Sequence, residues 1–166
     1  MKNPEKKLIA PIAFILCFVL TFLFFFTPGV LLGGINYISP ESHVRVTKLT
    51  YTRISVDWST VEIFDMTDRA EYELNAEQTA KLARLLRNSW YTRRFGSMVT
   101  YRVPHDVESY YHYFISISDR GRHVTLNFIW GGRVLRGSDE YNDWFRIRNS
   151  SWEEQLREIL ADVNRQ

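Results

Sequence analysis

The longest apolar stretch of the chain is Leu8–Phe26, nineteen residues without a charge that directly follow the lysine-rich start MKNPEKK. As a helix rising about 1.5 Å per residue, this stretch is about 28 Å long, close to the roughly 30 Å hydrocarbon core of a bilayer. A cleaved signal peptide has a shorter apolar core that ends in an A-x-A-like site, and no such site follows here. The pattern therefore predicts an uncleaved transmembrane helix at 8–26, with a cleaved signal as the alternative.

The basic residues around this stretch predict its orientation. Three lysines lie in residues 1–7, and the next basic residue is Arg45. Because cytoplasmic flanks carry an excess of Lys and Arg, residues 1–7 are predicted to be the cytoplasmic N-terminus. The chain is then a single-pass protein of the cell membrane, with the lipid bilayer as the partner of Leu8–Phe26 and with residues 42–166 as an extracytoplasmic domain.

Residues 27–41 contain two prolines and three glycines and carry no charge before Glu41. Pro and Gly at this frequency interrupt a helix repeatedly. We therefore expect a juxtamembrane linker that lies along the lipid headgroups. The alternative is a second, re-entrant pass, which exposes irregular backbone to lipid at a high cost.

Alternating apolar and polar positions in the second half of the domain predict a β-hairpin at 110–130. Directly opposed residues share a face of the sheet, so the register should pair Ile117 with Val124. That register puts Arg120-Gly121 at the tip of the turn. Two further strands are predicted in RVLRG and YNDWFRIR, which follow this hairpin.

The first half of the domain shows a similar pattern. VEIFDMTDRAEYEL (61–74) predicts a hairpin that turns at Asp68-Arg69. A helix should follow, with Asn75 as its N-cap and Gln78 completing a capping box.

The last element is also predicted to be a capped helix, beginning at NSSWEEQ. Ser151 and Glu154 have the spacing of a capping box. Both helices show one apolar stripe at helical spacing, which is the side expected to pack on a core. The stripes are Leu82, Leu85, Leu86 and Trp90 in the first helix, and Trp152, Leu156, Ile159, Leu160 and Val163 in the second.

These elements together predict an α+β fold, in which an N-terminal transmembrane helix precedes an antiparallel sheet with two amphipathic helices packed on one face. The apolar stripes lie at matching distances from Asn75 and from Asn149, and both predicted hairpins turn on Asp-Arg. A tandem hairpin–helix repeat would produce this likeness. The alternative is that two unrelated helices obey the same 3.6-residue geometry.

Composition narrows the class of function. The 166 residues carry 21 Lys+Arg against 19 Asp+Glu, a net charge of +2. Nucleic-acid binders depend on many unopposed cations, so this balance argues against a nucleic-acid partner. The single cysteine, Cys17, lies inside the apolar stretch, so the domain has to fold by packing and without internal disulfides.

The order of these features resembles a known class of protein. A short basic N-terminus and one apolar span precede the AEQTAKLARLLRNSW helix and the segment FIWGGRVLRG…DEYNDWFRIRN. This arrangement looks like that of small uncharacterised single-span membrane-anchored extracytoplasmic proteins of Gram-positive bacteria. The resemblance implies an extracytoplasmic location, and it implies no activity and no functional residues.

The best concentration of ionisable groups is PHDVESYYH, which contains His105, Asp106, Glu108 and His112. A metal site needs three or four ligands converging on one point, and adjacent residues of a strand point to opposite faces. No nucleophile elbow, P-loop or HExxH motif is present. The sequence therefore predicts no catalytic residues, no metal and no cofactor.

One face of the predicted sheet carries a mixture of side chains that is typical of interface hot spots. The register puts Phe114, Asn127 and Arg136 side by side on it, the face away from the helices. The alternative is that residues 43–60 fold over this face and make it part of the core. The candidate binding face consists of Tyr110, His112, Phe114, Asn127, Ile129 and Arg136.

The function expected from these patterns is that of a membrane-anchored, extracytoplasmic, non-catalytic binding module with a protein or a cell-envelope polymer as its partner. The alternative is an envelope hydrolase or a metal-dependent enzyme that uses the region of His105, Asp106 and Glu108.

Overall fold

The computed structural model describes residues 5–29, 35, 38–54, 63–94, 108–129, 134–136 and 144–163. The described helices and strands are, in chain order, α1 Glu5–Phe25, β1 Phe26–Pro28, β2 His43–Ile54, β3 Ile63–Leu74, α2 Ala76–Asn88, β4 Trp90–Arg94, β5 Ser109–Asp119, β6 Arg122–Ile129, β7 Val134–Arg136, β8 Trp144–Ile147 and α3 Trp152–Ala161. The chain is therefore α+β, as predicted.

The eight described strands form one antiparallel sheet in the order β1-β4-β8-β7-β6-β5-β2-β3. This order places β1, which follows α1 directly, at one edge of the sheet, and β3 at the other. The twelve-residue β2 lies between β3 and β5 and pairs with both of them. The sheet thus joins the two halves of the chain through β2 and β5.

The β5–β6 hairpin has the predicted register, with Ile117 paired to Val124. Arg120 and Gly121 form its turn with φ angles of 46° and 79°. Two successive positive φ angles belong to the type I′ turn, whose twist matches the twist of the strands that it connects. Both the register and the turn are therefore confirmed.

The predicted hairpin within residues 61–74 is wrong, because β3 runs without a break through the expected turn. Asp68 pairs with Thr50 and Arg69 pairs with Leu49, so both expected turn residues lie in the β2–β3 ladder. The register shifts directly after Thr50, and such a bulge accommodates the interrupted alternation of apolar and polar residues. The predicted repeat of the two halves depended on an Asp-Arg turn in each, and the turn at Asp68-Arg69 is absent.

The hydrophobic core includes residues of the sheet and of both α2 and α3. Trp152 stacks on Phe128 with ring centroids 4.5 Å apart and meets Tyr113 edge-on at 6.3 Å. Trp90, expected in the first helical stripe, lies instead in β4 and is 45% exposed. The buried apolar residues of the two helices are Leu82, Ala83, Leu85, Leu86, Trp152, Leu156, Ile159 and Leu160.

The two helix starts differ. At α2 the predicted capping box is confirmed, because the Asn75 side chain accepts from the backbone N–H of Gln78 and the Gln78 side chain accepts from the backbone N–H of Asn75. At α3 the predicted capping box of Ser151 and Glu154 is wrong, since Ser151 makes no capping hydrogen bond. Its hydroxyl donates instead to Asn149 Oδ1 at 3.0 Å, before the helix.

Part of the predicted linker 27–41 is built into the domain. β1 pairs with β4 and sets Thr27 opposite Tyr91. Ile35 and Ile38 are 0% and 1% exposed and belong to the core. The structure corrects the expected linker here, because these apolar side chains are covered by the domain rather than by lipid headgroups.

The junction between α1 and β1 is also packed. The Thr27 hydroxyl donates to the carbonyl of Leu23 at 3.1 Å. Phe22 stacks on Phe26 at 5.0 Å and meets Trp90 of β4 at 6.4 Å. α1 therefore continues into the sheet without a spacer.

The described side chains of α1 leave a long apolar surface open. Its exposed large hydrophobic residues, 41% to 73% accessible, are Ile12, Phe14, Ile15, Leu16, Phe18, Val19, Leu20, Phe22, Phe24 and Phe25. Among the residues that the structure describes, no helix combines the length and the apolarity needed to cross a membrane.

Candidate binding face

The candidate residues belong to the face of the sheet that looks away from the hydrophobic core. β2 lies beside β5 on this sheet, with Thr47 opposite Phe114 and Leu49 opposite His112. Residues 43–54 therefore extend the face sideways and do not fold over it, which corrects the alternative for this segment. Residues 55–60, the rest of that segment, lie outside the described residues.

The backbone register brings the predicted row of residues together. Asn127 of β6 lies opposite Phe114 of β5 and opposite Arg136 of β7. Ile129 lies opposite Val134 on the next rung of the same face. The predicted neighbourhood across three strands is thus confirmed, and its role as a binding face stays a prediction.

An aromatic cluster occupies the part of this face where β2, β3 and β5 meet. The rings of Tyr51 and Tyr110 stack with centroids 5.2 Å apart and planes 9° from parallel. Phe64 meets Tyr110 edge-on at 4.9 Å, and the His112 ring lies 4.7 Å from Tyr51. We call Tyr51, Phe64, Tyr110 and His112 the aromatic cluster; all four are partly buried.

Tyr51 and Phe64 were not predicted for the site. Their contact with Tyr110 depends on β2 pairing with β5 and on β3 pairing with β2. These contacts join residues about fifty positions apart in the chain. The sequence does carry a signal for this strand, because Leu49 and Tyr51 alternate with threonines, a pattern typical of a strand with one apolar face.

Two polar side-chain atoms on this face are buried, one within the aromatic cluster and one on Asn127 of β6. His112 Nε2 and Asn127 Oδ1 are inaccessible to solvent and find no hydrogen-bond partner in the described part of the chain. Burial lowers the pKa of His112 to about 4, so its ring is neutral near pH 7 and offers one donor and one acceptor. A buried polar atom without a partner costs about 1–3 kcal/mol of stability.

Burial changes the chemistry of a second residue of the cluster. The pKa of Tyr110 is raised, first by burial and then by the neighbouring Tyr51. Its phenol therefore keeps its proton near neutral pH and can act as a hydrogen-bond donor. The cluster as a whole combines apolar rings with uncharged polar groups, a combination suited to stacking and hydrogen bonding rather than to ion pairing.

The residues considered for metal binding are only partly described. His105 and Asp106 lie outside the described residues. Glu108 is exposed, and its backbone carbonyl accepts from the N–H of Arg53 at 2.8 Å. Across the described ranges, no group of three or more His, Cys, Asp or Glu residues is placed to hold a metal ion.

A shallow cleft of about 250 Å³ lies between α2 and α3. Lys81 on its rim pairs with Glu77 at 2.9 Å and reaches Asp162 at 3.6 Å. The cleft belongs to the helical layer and shares no residue with the candidate face. Its lining residues are Lys81, Arg84, Leu85, Asn88, Asn149, Gln155, Glu158 and Ile159.

No protein-family model, curated protein or solved structure matches this chain.

Proposed function

We propose that this protein is a membrane-anchored, extracytoplasmic, non-catalytic binding module that contacts its partner through the candidate face. The observation that supports the binding role is the aromatic cluster, whose four partly buried rings lie together on the candidate face. A protein surface or a cell-envelope polymer with rings or apolar groups and hydrogen-bonding atoms is a suitable partner for such a face.

The proposed anchor is the apolar part of α1, which begins at Leu8 and ends at Phe25, directly before β1. Its exposed apolar side chains gain about 25 cal/mol for each Å² that moves from water into lipid. The lysines of residues 1–7 favour a cytoplasmic N-terminus by the positive-inside tendency. The domain that follows β1 then lies on the outer side of the membrane.

The location is tested with the full chain expressed in a bacterial host. We expect the protein to stay with the membrane pellet after alkaline extraction, and its domain to be digested by protease added outside intact spheroplasts. A variant with Phe18→Asp and Leu20→Asp should leave the pellet, because charged side chains are costly within lipid. Protection of the wild-type domain from external protease would place it in the cytoplasm and overturn the location.

The binding role is tested by site-specific photocrosslinking in the same host. A photoreactive amino acid in place of Ser116, which lies on the candidate face between Phe114 and Ser118, should capture a defined envelope component. The same probe in place of Arg84, in the cleft between the helices, serves as the matched control.

Asn127→Ala and Phe114→Ala should each reduce the yield of the Ser116 crosslink. Equal yields from Ser116 and Arg84, or yields unaffected by both alanine variants, would overturn the candidate face as the contact surface.

A further inference from the structure

We propose that the folded domain itself touches the bilayer, with the side chain of Trp90 inserted at the boundary between the lipid headgroups and the acyl chains. This inference rests on the anchoring of α1 proposed above. It adds a second contact with the membrane, which the sheet makes where β4 begins.

The depth of Trp90 follows from its contact with α1. The rings of Phe22 and Trp90 meet with centroids 6.4 Å apart, and Phe22 also stacks on Phe26 at 5.0 Å. Phe22 belongs to the last turn of α1, which ends at Phe25. With α1 anchored in lipid, the ring of Trp90 therefore lies beside the end of the anchor, where the hydrocarbon core gives way to the headgroups.

Trp90 is exposed at this depth. Its neighbour Tyr91 is 0% exposed in the core, so the Trp90 side chain points to the other face of the sheet, where it is 45% exposed. Phe22 is 44% exposed beside it. The two rings present an apolar surface, and moving that surface from water into the membrane interface is favourable.

The chemistry of the Trp90 side chain suits this boundary. Tryptophan is enriched at the surfaces of membranes because its ring is apolar while its indole N–H requires a hydrogen-bond acceptor. The ester and phosphate oxygens of lipids are acceptors at this depth. A half-exposed tryptophan that touches the end of an apolar helix is therefore placed as an interfacial anchor.

The backbone at the junction meets the condition that lipid imposes, namely that polar groups are paired within the protein. The Thr27 hydroxyl donates to the carbonyl of Leu23 at 3.1 Å, which satisfies a carbonyl at the end of α1. The carbonyl of Trp90 accepts from the N–H of Arg148 at 2.9 Å. These groups therefore do not depend on water where the sheet meets the interface.

The distribution of acidic residues also favours this placement. The segments that meet at the junction, 26–29 and 87–94, contain no Asp or Glu. Carboxylates are costly at the edge of the hydrocarbon and are repelled by anionic lipids. The exposed carboxylates of β3 lie at the opposite edge of the sheet from β1, away from the anchor. They are Asp65, Asp68, Glu71 and Glu73.

The depth of Trp90 is tested with spin labels on the full chain in nanodiscs of phosphatidylcholine and phosphatidylglycerol. One label is attached at Trp90→Cys in a Cys17→Ser background, and the matched control is Glu154→Cys on α3 in the same background. Oxygen concentrates in lipid, whereas a nickel chelate stays in water. We expect a ratio of oxygen to chelate collisions several times higher at position 90 than at the control, and equal ratios would overturn the inference.

A label on the native Cys17 separates this inference from the proposed anchoring. If that label is open to the chelate, α1 does not lie in lipid and the inference falls with the anchor. If the Cys17 label is in lipid while the label at position 90 is in water, the inference alone is overturned. Spin–spin broadening at position 90 that disappears on dilution with unlabelled protein would replace lipid by a second copy of the chain, and would overturn it too.

A second measurement keeps the tryptophan in place. Lipid brominated at the headgroup end of its acyl chains quenches tryptophans at the interface, and the emission of the wild type minus that of Trp90→Phe isolates Trp90 among the 5 tryptophans. Trp90→Phe keeps a ring beside Phe22 and is expected to fold. We expect this difference in emission to be quenched, and to be quenched less by lipid brominated at the methyl end. A difference that neither lipid quenches would overturn the inference.

Discussion

Burial lowers the pKa of His112, and this shift makes the stability of the folded protein depend on pH. The pKa of this imidazole falls to about 4 in the folded protein, from an ordinary value of 6.5. Between about pH 6.5 and pH 4 the unfolded chain takes up a proton at this position that the folded protein does not. The contribution of His112 to stability is therefore fully present above pH 6.5, is lost as the pH falls through this window, and is level below pH 4.

We predict that His112→Phe, which keeps a ring beside Tyr51 and cannot be protonated, flattens the fall of melting temperature between pH 6.5 and pH 4. Melting curves of the full chain in mild detergent at a series of pH values measure this. Identical slopes for His112→Phe and the wild type would show that His112 does not titrate in this window.

A further polar side chain that is buried without a partner lies in α2. Thr79 is 0% exposed, and its hydroxyl finds no hydrogen bond within the described ranges. Thr79→Val keeps the branched shape and removes the unpaired hydroxyl, so we predict a gain of about 1 kcal/mol in the free energy of unfolding. Thr79→Ser, which keeps the hydroxyl and loses the methyl group, should be less stable than the wild type. Chemical denaturation of the three proteins measures this, and a destabilised Thr79→Val would contradict it.

At the scale of elements, β1 depends on one glycine. A Cβ atom at Gly29 would lie 2.0 Å from the carbonyl oxygen of Leu86 and 2.9 Å from the backbone of Arg87. The obstacle is backbone at the end of α2, which cannot rotate away as a side chain can. The Gly29 N–H also donates to the Ser89 carbonyl at 2.8 Å, so this close approach fixes β1 against the end of α2.

We predict that Gly29→Ala lowers the free energy of unfolding by about 1–3 kcal/mol, the usual cost of forcing extra atoms into a packed site. Gly121→Asn is the matched control, since that position has open space and Asn tolerates its positive φ better than other side chains do. Amide hydrogen exchange should show the loss of protection concentrated in β1 and β4. An effect of Gly29→Ala no larger than that of Gly121→Asn would contradict the close contact.

The elements that the sequence predicts correctly are those with local signals. The capping box of Asn75 and Gln78 and the turn at Arg120-Gly121 involve residues a few positions apart. The sequence predicts a turn within β3 because Asp68-Arg69 resembles a turn when read alone, whereas both residues pair with β2 in the sheet. Ile35 and Ile38 were assigned to the linker because nothing in a run of apolar residues distinguishes burial in protein from burial in lipid.

The candidate site, too, is predicted only where signals between neighbouring elements of the sequence determine it. Phe114, Asn127 and Arg136 could be placed together because consecutive hairpins fix the register between neighbouring strands. The stacking of Tyr51 on Tyr110 could not, since it depends on a strand from the start of the domain lying beside one from its middle. Side-chain burial, which sets the charge of His112, also requires the assembled sheet.

At the scale of the whole molecule, the packed junction between α1 and β1 predicts a fixed angle between the helix and the sheet. Cys17, exposed on α1, accepts a spin label, and Glu154→Cys provides a second site on the exposed side of α3. We predict a narrow distribution of distances between the two labels in nanodiscs. A short Gly-Ser insertion between Phe25 and Phe26 should broaden it, because it removes the contact of Phe22 with Trp90.

The control for this measurement is a pair of labels within the domain, Glu77→Cys with Glu154→Cys in a Cys17→Ser background. Its distance distribution should be narrow with or without the insertion. A broad distribution between Cys17 and Glu154→Cys in the uninterrupted chain would show that α1 swings freely.

The two edge strands of the sheet determine how readily neighbouring copies pair edge to edge at high concentration. β1 is three residues long and ends in Pro28, which has no N–H to offer another strand. The opposite margin, β3, is long, but it is bulged beside Thr50 and exposes charged side chains that disfavour addition of a further strand. These are Asp65, Asp68, Arg69, Glu71 and Glu73. Copies that collide at either of these described edges therefore meet a strand that disfavours edge-to-edge pairing.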